Sequence, residues 1–362
     1  MRVPRVGYSS AMKKLLILSP YDGFSHGFWR EGLADYLAGE FEITQCTLPP
    51  RFFSWRQRGN SLSFALKPEL QQPFDVMVAT SMTDLSALRG LNPYLRSVPA
   101  IVYFHENQFA YPGGNTVGLL ERQLTSIYTA LSADRVFFNS EFNRSTFLAG
   151  AKNLLGRMPD EVPSGIANSI EERSSIVPVA LDIDSVKSFG SPGTRLKIVW
   201  NHRWEHDKGP DRLNEIVTAL IRRKVDFELS LFGQKFSKHP VVFDEILDLL
   251  HVNGKAGEIG FVESRTEYLA KLSAYDFVLS TADQEFQGLA IQEAMLSGCI
   301  PVVPDALSYP EYIPVEYRYG TVSEAVDIFL SKRTAKLISL DRYAWSTIGP
   351  DWTAMLGKLC PQ

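Results

Sequence analysis

Cysteine is almost absent: Cys46, Cys299 and Cys360 are the three in a chain of 362 residues. An odd number with no close spacing excludes a disulfide framework and a zinc ribbon, and it fits a reducing compartment. Long apolar runs are missing too. Nothing approaches the roughly 20 residues that cross a bilayer, and the LLIL that follows Lys13-Lys14 is too short for a signal-peptide core. These absences predict a soluble, cytoplasmic protein with no membrane partner. No sign of charge dominates either, with 37 basic against 41 acidic residues and a formal net charge of −4. A global cationic field that gathers nucleic acid is therefore excluded, and any such contact must come from a local patch. The acidic excess lies wholly after Gly190. Internal repeats and low-complexity tracts are absent as well.

What is present is a 45% hydrophobic content spread over a length that suits two domains better than one. Short apolar runs alternate with helix-length amphipathic segments. The first series is 15–19, 41–48, 74–81, 100–105 and 135–140, with helical patterns at 27–39 and 116–132. The second is 195–200, 226–233, 257–262, 275–282 and 299–304. This punctuation predicts an α/β fold of two doubly wound units in tandem, each built on a parallel sheet. The expected division is a first domain at 12–181, a linker at 182–194 and a second domain at 195–340. A terminal helix at 341–362 is expected to return to the first domain by analogy with similar folds. Residues 1–11 read as a dispensable extension, with Met12 a natural start, and 151–175 as an irregular loop.

In open α/β sheets ligands bind beyond the carboxyl ends of the strands, so the residues after each apolar run matter most. The run NHRWEHDKGPDR, Asn201 to Arg212, contains H-x-x-E-H, a zinc-peptidase pattern. That chemistry needs both histidines on one helix face, yet the strand-like LKIVW lies just upstream and Gly209-Pro210 sets the helix start near Pro210. His202 and His206 then lie in a loop, with no third ligand evident. Two readings of the run remain open. Arg203 and Lys208 beside a helix N-terminus would suit a diphosphate, or they simply pair with Glu205 and Asp207 on a solvated loop.

The second motif is EFQGLAIQEA. Glu285 and Glu293 bracket seven residues, with Gly288 near the helix start, so Glu293 should lie about two turns inside. Glu285 could accept bonds from sugar hydroxyls, the N–H groups of Gln287, Gly288 and Leu289 could face a phosphate, and Glu293 could hold a ribose diol. Equally, the two acids suit an ordinary helix terminus and surface.

In the first half, Arg51, Arg56, Arg58 and Lys67 are interleaved with Phe52, Phe53 and Trp55 over 49–67, and no acid interrupts them. Cations with stacking rings suit an RNA contact, and they also suit a loop anchored by its aromatics. His105 and Glu106 end a strand and are followed by Asn107 and Gln108, a cluster suited to a polyol. Asn139 and Ser140 end the next strand. Asp22 and His26 line the first loop, where Gly23 permits close backbone approach.

Together, the runs HRWEHDKGP and EFQGLAIQEA resemble the donor domain of family-4-like retaining glycosyltransferases of GT-B fold. LPPRFFSWRQRGNSLSFA, YFHENQFAYP, VFFNSEFNRSTFL and YPEYIP narrow the resemblance to the tRNA-queuosine mannosyltransferase family, from about Leu15 to Tyr319. The first loop departs from the family's tighter Gly-Gly-Ser-His. The resemblance implies transfer of a hexose with retention, mannose from GDP-mannose, onto the cyclopentenediol of queuosine in a tRNA such as tRNA-Asp. The nucleotide sugar is then a co-substrate, with no further cofactor and no metal.

The implied catalytic residues are His105, Arg203, Lys208 and Glu285, with His105 meeting the donor sugar. Donor binding falls to Gly23, Arg203, Lys208, Glu285, Phe286, Gln287, Gly288, Leu289 and Glu293. Acceptor binding falls to His26, Glu106, Asn107, Gln108, Arg51, Trp55, Arg56 and Arg58. Competing expectations are a transferase acting on an envelope lipid or polysaccharide, a nucleotide-sugar epimerase, and a non-catalytic tRNA-binding protein. Residues Arg203, Lys208, Glu285 and Glu293 argue against the last.

Overall fold

The structure, a computed structural model, describes residues 12–110, 118–183, 194–331 and 338–360. The expected extension at 1–11 and all but the ends of the expected linker lie outside the described residues. Six strands form the first sheet: β1 (Lys13–Ser19), β2 (Phe41–Thr47), β3 (Val76–Thr80), β4 (Ala100–Phe104), β5 (Arg135–Phe138) and β6 (Ser174–Ile176). All pairings are parallel, in the order β2-β1-β3-β4-β5-β6. Helices α1 (Phe24–Leu37), α2 (Phe53–Ala65), α3 (Leu85–Leu91), α4 (Leu119–Leu131), α5 (Glu141–Leu155) and α6 (Ile166–Glu172) connect and cover it.

The second sheet comprises β7 (Leu196–Trp200), β8 (Phe227–Phe232), β9 (Ala256–Gly260), β10 (Phe277–Leu279), β11 (Ile300–Pro304) and β12 (Arg318–Tyr319). It too is parallel, in the order β12-β11-β10-β7-β8-β9. Its helices are α7 (Pro210–Arg222), α8 (Val242–Val252), α9 (Arg265–Leu272), α10 (Leu289–Leu296) and α11 (Val322–Ser331). Each sheet is doubly wound, so the chain has two Rossmann-like domains.

Local sequence explains the elements. Strands β3 and β4 are apolar apart from Thr80, and every residue in them is buried, because helices cover both sheet faces. The edge strand β2 mixes buried and exposed positions instead. Helix α7 buries Leu213, Ile216, Val217 and Leu220, the spacing of one helical face, and starts at Pro210, as Gly-Pro predicted. Residues 151–175 depart from the expected irregular loop. They hold the last turn of α5, all of α6 and the start of β6. The missed helix is only seven residues long and buries Ile170, too little for a period to show.

Strand order decides where ligands can sit. In the first sheet the order reverses beside β1 and β3; in the second it reverses at β7 and β10. In open α/β sheets ligands bind at the carboxyl ends of the strands beside such a reversal.

A final helix, α12 (Trp345–Leu359), returns to the first domain. Its Trp352 is fully buried against Trp29, Tyr103 and Phe137, at ring distances of 5.9, 5.5 and 5.0 Å. Leu181, before the undescribed stretch, bonds to Tyr343 just ahead of that helix. Trp352→Ala should therefore cost about 3–5 kcal/mol of stability, read by urea denaturation of the whole chain. A loss under about 1 kcal/mol would mean that the helix adds little to this core.

Candidate active site

At the second switch point the loop after β7 meets the loop after β10. Lys208 ends a short 3-10 turn, His206–Lys208, and is buried. Its ammonium donates to the Gln284 carbonyl at 2.9 Å and pairs with Asp207 at 3.2 Å and Glu285 Oε2 at 3.3 Å. Burial works against that charge, but the two carboxylates outweigh it and raise the Lys208 pKa. Burial likewise opposes ionisation of Glu285, yet Lys208 holds its pKa below the ordinary range. Gly209 lets the loops approach: a Cβ there would meet the Thr281 carbonyl at 1.9 Å, and its φ of 62° is left-handed.

Glu285 Oε1 accepts from the N–H groups of Phe286 and Gly288, both at 3.2 Å. Gly288, at φ 84°, caps α10 where a Cβ would strike the Tyr312 hydroxyl. The carboxylate thus ends at a helix N-terminus, beside the buried ammonium. Arg203 is more open, its side chain 55% exposed, and pairs with Glu205 at 3.0 Å. Both pairings expected on a solvated loop are present, yet Lys208 is not solvated. A buried cation, a second accessible cation and a helix start are together of a kind that could hold an anion.

His202 is engaged by a neighbouring hydroxyl. Its Nε2 shares a 3.0 Å hydrogen bond with Ser280 Oγ, which also bonds the Tyr309 hydroxyl. Burial, with Lys208 adding to it, lowers its pKa from 6.5 to about 4. His206 is exposed in the 3-10 turn, so the two histidines share no helix face. Among the described residues no group of three or more His, Cys, Asp or Glu is arranged to hold a metal ion.

In the first domain, His26 from α1 and His105 after β4 lie edge to face, with ring centroids 4.3 Å apart. Trp29 and Tyr103 close the other sides of His105, at 4.7 and 4.6 Å. His26 Nδ1 bonds the Tyr21 carbonyl at 2.9 Å, whereas His105 Nε2 is buried and has no protein partner. Burial holds both pKa values down, His105 well down. Phe28, two residues after His26 on α1, has its ring centroid 4.1 Å from the guanidinium carbon of Arg265 in the second domain, so the two half-sites face each other. Phe24 and Phe261, one from each domain, meet edge to face at 5.5 Å.

Other expected residues sit elsewhere in the architecture. Asn107 is buried, and its amide is consumed internally: it donates to Asn143 and Thr146 and accepts from the Phe109 and Ala110 N–H groups. It shapes the turn after β4. Asn139 donates to the His105 carbonyl and Ser140 caps α5, so both are likewise structural. Asp22 pairs with Arg30 at 2.8 Å. Gln287 reaches across the domains, donating to the Val179 carbonyl at 3.0 Å and accepting from its N–H at 2.8 Å. Its side chain is an interdomain clasp. Gly23 has ordinary extended geometry, and a Cβ there would meet only Pro50, at 3.9 Å. Glu106, Gln108 and Leu289 are half-buried, and Phe286 is buried against Phe142 at 6.0 Å. Glu293 lies on the fifth residue of α10, little more than one turn in rather than two, because the helix starts only after Gly288.

Residues 49–67 contain the whole of α2. Phe52 is 69% and Trp55 53% exposed, and the Trp55 ring lies on Gly59, where a Cβ would sit 2.6 Å from it. Absence of a side chain at Gly59 thus lets the indole lie flat on the helix. Arg51 sits over Phe52 at 5.7 Å and Arg56 bonds the Pro49 carbonyl. Arg58 is committed elsewhere, to Thr125 at 2.6 Å and Asp84 at 3.6 Å.

Sequence reasoning missed Arg265, which pairs with Glu293, and Glu311, whose carboxylate caps α5 from the other domain through the Glu141 and Phe142 N–H groups. Neither carries a local signal, since each acts on a distant segment.

Comparisons with known proteins agree with this geometry. A family model described as tRNA-queuosine alpha-mannosyltransferase N-terminal matches residues 14–181. The tRNA-queuosine alpha-mannosyltransferase of Drosophila melanogaster is 35% identical over 328 residues, covering 86% of this chain and 85% of its own. Among solved structures, Anabaena HepE in complex with UDP superposes with a TM-score of 0.69 at 15% identity, over 95% of this chain and 100% of that one. Sucrose-phosphate synthase from Thermosynechococcus elongatus gives 0.69 at 12% identity, over 96% and 99%. Those likenesses concern the fold.

The buried histidines set an acid limit on stability. His202 stays neutral when folded down to about pH 4 but binds a proton when unfolded below 6.5. The unfolded state then binds more protons, so stability falls as pH drops through that window. His202→Asn should remove about 3 kcal/mol of that fall, measured by denaturant titration at several pH values. Parallel acid profiles for the variant and the parent would show that His202 is already protonated in the fold.

Proposed function

The chain belongs to the tRNA-queuosine alpha-mannosyltransferase family, and we propose that it moves mannose from GDP-mannose, with retention, onto the cyclopentenediol of queuosine in a tRNA. It is a glycosyltransferase that uses a nucleotide-sugar donor. The observation that carries the finer reading is the meeting of Arg203, Lys208 and the Glu285-capped start of α10 opposite His26 and His105.

Donor and acceptor roles follow from charge and exposure. The diphosphate lies against Arg203, Lys208 and the start of α10, and the ribose diol lies on Glu293. As the glycosidic bond breaks, negative charge grows on the leaving phosphate. Fixed cations and N–H groups stabilise that charge without reorganising, about 3 kcal/mol for one well-placed donor. The acceptor hydroxyl attacks the same face of the sugar carbon and gives its proton to the departing phosphate oxygen, leaving GDP and glycosylated queuosine. In this reading Glu285 orients sugar hydroxyls, with Lys208 keeping it an acceptor, and it does not attack carbon. Nor do Glu285 and Glu293 form a glycosidase pair, since each has its own cation. His105, with an unpartnered Nε2, offers the sugar a hydrogen bond.

On the acceptor side, Arg51, Arg56, Phe52 and Trp55 supply phosphate contacts and stacking faces. The exposed Trp55 ring, held flat on Gly59, supports that assignment. Arg58 serves mainly to hold α2 against Asp84. Among the described residues no helix is long and apolar enough to cross a membrane. The reading puts the enzyme in the cytoplasm with its tRNA, of which tRNA-Asp is the first to try.

Incubating queuosine-containing tRNA with the protein and GDP-mannose, with UDP-sugars in parallel, should add one hexose to queuosine by nucleoside mass spectrometry. No gain from any donor, in a protein that still binds a nucleoside diphosphate, would move the acceptor away from tRNA. Replacing Arg51 and Arg56 together by Ala should weaken tRNA binding and flatten its dependence on log salt by about 1.5. An unchanged slope would make α2 merely structural.

A further inference from the structure

Arg265, the first residue of α9, reaches two partners at once. Its guanidinium pairs with Glu293 Oε1 on α10, and its central carbon lies 4.1 Å from the Phe28 ring centroid on α1. Phe28 belongs to the first domain and Glu293 to the second, so this side chain spans the cleft. The Glu293 side chain is 11% exposed against 42% for Arg265, so the pair joins a desolvated acid to a cation with one flank in solvent. An exposed pair would contribute little. A carboxylate this buried depends more heavily on its partner.

The groups that face Glu293 are few. From α9 come the Arg265 guanidinium and the buried phenol of Tyr268, whose hydroxyl accepts from Asn201 Nδ2. Burial raises the Glu293 pKa and Arg265 opposes that rise. A guanidinium carries five N–H donors in a rigid fork, and the Glu293 pairing engages one edge of it. Its plane is meanwhile steadied by the Phe28 face.

We propose that Arg265 is a positioning residue for the donor: it aims the Glu293 carboxylate at the ribose diol and ties that aim to the approach of the two domains through Phe28. This rests on Glu293 being the diol holder. A carboxylate that is oriented and charged accepts from both hydroxyls of a vicinal diol, so the device selects ribose over deoxyribose. Without Arg265 the buried acid takes up a proton at higher pH and swings freely, and the selection weakens.

Calorimetric affinities of the full chain for GDP and 2′-deoxy-GDP test the inference. The parent should favour GDP by about 10-fold. In Arg265→Ala the ratio should fall to within about 3-fold of unity at the lower of two pH values and recover toward the parental ratio at the higher, because the acid regains its charge as pH rises. Arg265→Lys should keep most of the ratio at both pH values, and Phe28→Ala should weaken both nucleotides and lower the ratio part of the way. A parental ratio at both pH values in Arg265→Ala would overturn the positioning role, and unchanged affinities in Phe28→Ala would overturn the coupling. Glu293→Gln separates the two levels. If it abolishes the ratio while Arg265→Ala does not, the inference alone fails. If it leaves the ratio intact, Glu293 is not the diol holder and both fail.

Discussion

The buried ammonium of Lys208 is the interaction on which the site depends. It joins the loop after β7 to the loop after β10 through the Gln284 carbonyl and the Glu285 carboxylate. Those loops leave adjacent strands at the point where the strand order reverses. Without a cation there, Glu285 would be a desolvated charge with only N–H partners, and the start of α10 would lose its fixed anion. Removing one partner from such a buried pair costs about 3–5 kcal/mol. A pair of that kind adds little net stability, so its value lies in geometry. Charges are already fixed where a leaving group would develop its own.

The second constraint is the closeness of the domains. Gln287 bonds Val179 in both directions, Glu311 caps α5, and Phe24 meets Phe261. Each contact joins one element per domain, so they register the two half-sites against each other. Helix α12 adds a covalent reason for that registration. The chain leaves the second domain and buries Trp352 among the aromatics of the first. Most of these links are polar or lie at the rim, whereas the domain cores are apolar, so separation costs far less than unfolding.

Much of this was legible in the sequence. Ten apolar runs marked ten of the strands, and Gly-Pro placed the start of α7. The candidate anion site shows in the sequence because strand, loop and helix start follow in order, and both acids of EFQGLAIQEA fall near one helix terminus. What could not be read was partnership across long separations. Asn107, Asn139 and Gln287 look like free polar residues after strands, yet their amides are used by segments dozens of residues away. Arg265 sits in an unremarkable run and matters only because α1 and α10 converge on it. Strands β6 and β12 are three and two residues long, too short for alternation to show. Periodicity reports what an element buries but not which distant partner a polar side chain finds.

The central claim is that the buried cation and the α10 start form the seat of a nucleoside diphosphate. A crystal structure with GDP-mannose or GDP bound tests it most directly. The account predicts the terminal phosphate within hydrogen-bond reach of Lys208 Nζ, Arg203 and the Leu289 N–H, with the ribose on Glu293. A nucleotide bound elsewhere, with the Lys208 and Glu285 pair untouched, would contradict it.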